Sequence, residues 1–131
     1  MTDSEELKDW GPRGTAGVAF AAALRFDAVD VTLGGRPVLR NFSLALVPGE
    51  IVCLLGESGS GKSTILRVAA GIQRIDGGTV RINDQVVSGP GIHAKPDRRG
   101  IGLMFQDFAL FPHLTLLQNV TFGLRRLGRA A

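Results

Sequence analysis

The run Gly56-Glu57-Ser58-Gly59-Ser60-Gly61-Lys62-Ser63-Thr64 fits the pattern GxxxxGK[ST], and the apolar stretch Ile51-Val52-Cys53-Leu54-Leu55 leads directly into it. A loop of this kind, between a strand and a helix, gathers successive backbone N–H groups into one concavity, where the helix start adds the positive end of its dipole. Polyphosphate is the ligand that suits such a concavity. Gly56, Gly59 and Gly61 reach backbone conformations closed to residues with a Cβ and let the chain approach phosphate oxygens closely. Lys62 supplies a mobile positive charge for the β- and γ-phosphates, and the Ser63 hydroxyl supplies an oxygen ligand for Mg²⁺. Glu57, Thr64 and the amides of Ser58 and Ser60 complete the cradle. The plain alternative is a flexible Gly/Ser linker. Strand-like residues before the run and helix-like residues after it favour the phosphate loop, hence an α/β fold that binds a nucleoside triphosphate.

Length and composition narrow the class. A chain of 131 residues is the size of one domain, and 44% hydrophobic with 21% charged residues describes a globular chain rather than a disordered one. The net charge of +3 draws on Arg125, Arg126 and Arg129 near the end, so it is no footprint for nucleic acid. Cys53 is the only cysteine, which excludes an internal disulfide and suits a reducing compartment. Its place inside an apolar strand predicts a small buried side chain. The weakly polar stretch from Ala16 to Leu24 is shorter than the roughly 20 residues a membrane-spanning helix needs. Asp3-Ser4-Glu5-Glu6 is acidic where a secretory signal carries positive charge, so a cytosolic location is expected.

Residues 1–23 carry acids, Gly-Pro and small residues without sustained period and are expected to form a mobile extension, with the domain proper from residue 24 to 131. Leu24, Phe26, Val29, Val31 and Leu33 predict a strand, Gly34-Gly35 a turn, and Val38 to Val47 an antiparallel partner. The unbroken apolar run Ile51 to Leu55 predicts a strand covered on both faces. After the loop, Ile65, Val68 and Ala69 recur at helical spacing, with Gly71 as the stop. Thr79 to Ile82, a tight turn at Asn83-Asp84, and Gln85 to Val87 predict a hairpin. Gly89 to Arg99 reads as loop, Ile101 to Phe105 as another apolar strand, and Thr115 to Gln118 as a capping box. The helix that box opens would carry Leu117, Val120, Leu124 and Leu127 on one face.

The phosphate loop, Ile101 to Phe105, and the segment Phe105-Gln106-Asp107-Phe108-Ala109-Leu110-Phe111-Pro112-His113-Leu114-Thr115 together resemble the ATP-binding subunits of ABC transporters. The resemblance runs from about Leu24 to Leu127. Its wording is similar to bacterial importers of ferric iron, polyamines, sulfate, thiamine and sugars, ferric iron foremost. It implies a P-loop α/β nucleotide-binding domain, incomplete, with an antiparallel β subdomain, the start of the parallel core, and the start of a helical subdomain. It implies ATP and Mg²⁺ as cofactors. Lys62 and Gln106 would serve the chemistry, Gln106 as a Mg²⁺ ligand and γ-phosphate sensor beside Ser63. Leu33 falls where the family places an aromatic residue against adenine, and it would give apolar contact only. Asp107 is a weaker candidate for the family's second metal-binding acid, since Gln106 takes the functional position.

The family's signature motif, catalytic glutamate and switch histidine have no counterpart in these 131 residues. Phosphoryl transfer needs a group that orients the attacking water. The resemblance therefore implies a truncated or fragmentary ATPase that holds nucleotide and turns it over slowly or not at all. Its partners would be transmembrane permease subunits and a second ATP-binding subunit, on the cytoplasmic face of the inner membrane. Phe108, Leu110 and Phe111 either fill a core or line the groove that receives a permease helix. His93 and His113 lack ligand-spaced partners and read as structural or solvent-facing. Two other functions stay open: a non-hydrolysing nucleotide-binding or assembly module, and a small P-loop kinase.

Overall fold

The computed structural model describes residues 22–107 and 109–122. Five strands form one antiparallel sheet: β1 (Leu24–Leu33), β2 (Arg36–Leu46), β3 (Gly77–Ile82), β4 (Gln85–Gly89) and β5 (Ile92–His93), in the spatial order β2-β1-β3-β4-β5. Helix α1 (Lys62–Ala70) packs its buried face on this sheet, and a second helix, α2 (Leu116–Val120), follows later. The sheet begins one residue before β1. Ala23 donates its N–H to Asn83 Oδ1 (2.9 Å) and accepts from Asn83 N–H (3.0 Å).

Both expected hairpins form. Gly34 and Gly35 take φ of 54° and 76°, and Asn83 and Asp84 take 48° and 64°. Two-residue loops with positive φ match the twist of the strands they join. Within β1 the apolar pattern changes phase, because Phe26 and Val29 are three apart where a period of two is required. A bulge restores the face. Ala28 turns to φ 48°, its N–H is taken by Ser43 Oγ at 2.9 Å, and the pairing register shifts between Phe26 and Val29. Phe26, Val29 and Val31 thereby reach the same core, with Leu39, Val80, Ile82 and Val87 from the other strands.

Helix α1 forms because Thr64, Ile65, Val68 and Ala69 bury one stripe while Leu66 and Arg67 face out. Gly71 ends it at φ 84°, donating to Val68 O, with Ile72 N–H following to Arg67 O. Cores of this kind account for most of such a helix's stability in a protein.

Three expectations change. Ile51 to Leu55 and Ile101 to Phe105 join no ladder, and Ile51 and Leu55 are 91% and 92% exposed. A parallel strand exists only through its neighbours, and every described strand belongs to the antiparallel sheet. Cys53 is consequently exposed rather than buried. The stretch Gly89 to Arg99 is more ordered than a loop, since β5 pairs with β4 and Pro96–Arg98 makes a 3-10 turn.

The capping box forms as expected, with Thr115 Oγ1 accepting from Gln118 N–H (3.2 Å) and Gln118 Oε1 from Thr115 N–H (2.9 Å). Leu117 and Val120 are exposed, with no described element packed over them, and Leu124, Leu127 and the three late arginines lie outside the described residues. Residues 1–21 of the expected extension lie outside them too.

His93 lies in β5. Its Nε2 stands 3.0 Å from Gly71 O, and a carbonyl only accepts, so Nε2 carries the proton. Burial lowers the His93 pKa, the Gly71 bond raises it, and Arg74 and Arg99 lower it further, for a net fall below 6.5. The folded state therefore resists a proton that the unfolded chain accepts. Its contribution is complete above pH 6.5 and declines as pH falls toward the folded value. The urea midpoint is expected to fall between about pH 7 and 5, and less steeply in a His93→Gln variant.

Candidate phosphate-binding site

Two backbone conditions shape the loop between Leu55 and α1. Gly59 and Gly61 adopt φ of 84° and 96°, and Ser60 N–H closes a turn on Glu57 O at 3.1 Å. A Cβ on Gly56 would lie 2.7 Å from Ser60 Oγ, so a larger residue there would displace the Ser60 side chain from its present place over the loop. The first helical bond runs from Ile65 N–H to Gly61 O at 3.0 Å. The amides of Lys62, Ser63 and Thr64 thus belong to the first turn of α1, where no intrahelical acceptor exists. Three donors and the dipole end meet there.

Lys62 folds back over the loop. Its Nζ donates to Gly56 O, to Glu57 O at 2.8 Å and to Ser60 Oγ at 3.3 Å, which sets the ammonium beside the first-turn amides. A cleft of about 500 Å³ opens there, lined by Val38, the loop from Ser58 to Thr64, and Gln106. Its glycines, amides, ammonium and hydroxyls suit a polyphosphate, and Ser63 with Gln106 offers the oxygen donors that Mg²⁺ prefers. That metal would neutralise phosphate charge.

The sequence-predicted residues divide. Ser58 to Thr64 and Gln106 share the cleft, although Gln106 comes from a distant segment. Gly56 and Glu57 stand behind it and hold Lys62 through their carbonyls. Leu33 does not line the cleft; it is half-buried and packs against the core at the end of β1. Val38 does line it and was not predicted. It reads as an ordinary β2 residue, and no local signal marks its side chain as facing a loop that lies beyond the next turn.

Asp107 is exposed and outside the cleft lining. No group of three or more His, Cys, Asp or Glu able to hold a metal occurs among the described residues. Further along, Asn119 shapes the turn before α2. It accepts Phe111 N–H at 2.9 Å and donates to the carbonyls of Phe111, Leu114 and Thr115. The Phe111 ring contacts those of His113 and Phe122, Leu110 is exposed, and Phe108 is outside the described residues.

The family model described as ABC transporter matches residues 39–131. The chain belongs to the ABC transporter family. This ABC transporter chain is 45% identical over 107 residues to the Fe(3+) ions import ATP-binding protein FbpC 2 of Rhodococcus jostii, covering 82% of itself and 31% of that relative. It is 42% identical over 113 residues to a 2-aminoethylphosphonate import ATP-binding protein, PhnT, of Salmonella typhimurium, covering 86% of itself and 28% of the relative. FbpC of Streptomyces coelicolor is 44% identical over 105 residues, 80% of this chain and 29% of that one. The chain thus spans about a third of the length of these curated relatives.

A solved nucleotide-free ATP-binding cassette from an ABC transporter superposes with a TM-score of 0.50 at 26% identity, over 53% of this chain and 27% of that one. The fold is part of an ABC ATP-binding cassette, of import type by its relatives. Among the described residues no helix is long and apolar enough to cross a membrane.

Proposed function

We propose that this chain is the nucleotide-holding part of an ATP-binding subunit that energises an ABC importer, ferric iron being the favoured cargo. The observation that carries the reading is the shared cleft, in which Gln106 stands with the Gly61-Lys62-Ser63-Thr64 run at the start of α1. Gly56 to Thr64 hold the phosphates, Lys62 balances β- and γ-phosphate charge, and Ser63 and Gln106 hold Mg²⁺. The iron reading follows the names of the Rhodococcus and Streptomyces relatives, and phosphonate, named for the Salmonella relative, is the alternative cargo.

Permease subunits and a second ATP-binding subunit are the partners of this reading, at the cytoplasmic face of the membrane. The exposed Leu110 and the Asn119-shaped turn at Phe111 supply the surface for a permease helix. Hydrolysis belongs, in this reading, to the whole subunit, since this chain spans only about a third of the length of its curated relatives.

The metal assignment has a direct test. Titration of ATP with and without Mg²⁺ should show tighter binding with the metal, and Ser63→Ala and Gln106→Ala should each remove most of that gain while leaving metal-free binding in place. Variants that keep the full Mg²⁺ effect would refute the assignment.

A further inference from the structure

Arg99 is only 4% exposed, and among the described residues the hydrogen bonds of its guanidinium go to neutral acceptors. Nε donates to Ala94 O (2.8 Å), Nη1 to Val68 O (3.0 Å) and Ala69 O (3.4 Å), and Nη2 to Val87 O (3.1 Å) and Ser88 Oγ (2.7 Å). Nη2 also faces His93 Nδ1 at 3.4 Å, the ring nitrogen left as acceptor by the Gly71 bond. A buried cation is tolerated only when its donors are satisfied and its charge is compensated. Here Ala94, Val87 and Ser88 take Nε and Nη2, while the last-turn carbonyls of α1 take Nη1 and bring the negative end of that helix against the charge.

The same helix presents its other end to the phosphate cleft. At that end Gly61 is tight against β2, where a Cβ would lie 3.2 Å from Val38 O and 3.0 Å from Leu39 Cδ2. Nine residues span about 13 Å, short enough for a helix to move as a rigid rod. Helix α1 is therefore pinned to β2 at its start and to β4 at its finish. Gly71 joins the second pin: a Cβ there would lie 2.5 Å from Arg99 Nε, so the residue that ends the helix also clears the arginine's seat.

We propose that Arg99 is a positioning residue for the phosphate loop, fixing where the first-turn amides of Lys62, Ser63 and Thr64 point by anchoring the far end of α1 to β4. The inference rests on the nucleotide-binding reading for its functional consequence. Arg99→Lys keeps a charge but loses the planar fork of donors, and Arg99→Met keeps only an apolar stem.

In the full chain, both variants are expected to shift the amide NMR signals of Gly61, Lys62 and Ser63 while β1 and β2 signals stay native. Both should raise the Kd for MgATP about fivefold or more through lost preorganisation. Folded variants with unmoved loop signals and unchanged Kd would overturn the proposal. Should both substitutions prevent folding, Ser88→Ala retains the arginine and removes one acceptor, and it should displace the same signals; unmoved signals there would overturn it equally. An unsubstituted chain that fails to bind MgATP would instead defeat the nucleotide reading, and the loop signals, recorded without nucleotide, would still decide the role of Arg99.

Discussion

Lys62→Ala is expected to raise the Kd for MgATP at least tenfold, about 1.4 kcal/mol. The Lys62 ammonium is held by the Gly56 and Glu57 carbonyls and by Ser60 Oγ, beside the first-turn amides of α1. It is thus preset at the place where phosphate charge must be met, and neutral amides alone replace only part of that attraction. The substitution also removes three bonds that close the loop on itself, so the remaining donors lose their common aim. Isothermal titration of both chains reads the difference. Equal heats and equal Kd would remove Lys62 from the site and, with it, the central assignment.

Gly78→Ala is expected to destabilise the fold by about 3 kcal/mol or more, by a different route. Gly78 sits in β3 at φ 82°, opposite the bulge of β1. A Cβ there would lie 2.3 Å from Ala28 O and 2.5 Å from Asp27 O. Both atoms are backbone, so relief requires the bulge itself to move. The bulge is what returns Val29 and Val31 to the core face, and its displacement would misalign the apolar side of β1. Urea unfolding should show a much lower midpoint with a similar slope. A midpoint equal to that of the unsubstituted chain would mean that β1 and β3 do not approach as described.

The features legible along the chain are those whose cause is local. Paired glycines at 34 and 35 and Asn83-Asp84 accept positive φ, so both hairpins were readable as turns between apolar runs. The Thr115/Gln118 box and the Gly71 stop are reciprocal backbone bonds within a few residues, and both formed where expected. Ile51 to Leu55 and Ile101 to Phe105 show the opposite case. Their composition is that of buried strands, yet a strand is made by partners that no local pattern supplies, and both remain unpaired.

The phosphate site divides along the same line. The order Gly56 to Thr64 was enough to predict a glycine-bent loop closing at the start of α1, because its amides are consecutive and Lys62 is adjacent to them. Which other residues face that loop was settled by packing: Val38 came to the cleft wall and Leu33 went to the core edge. Arg99 is the fullest example, a cation in a charged, Pro-containing stretch that reads as loop, whose side chain lies buried against the end of α1. Backbone chemistry acts between near neighbours and can be read from order alone, whereas burial is a property of surfaces that meet only after the chain has folded.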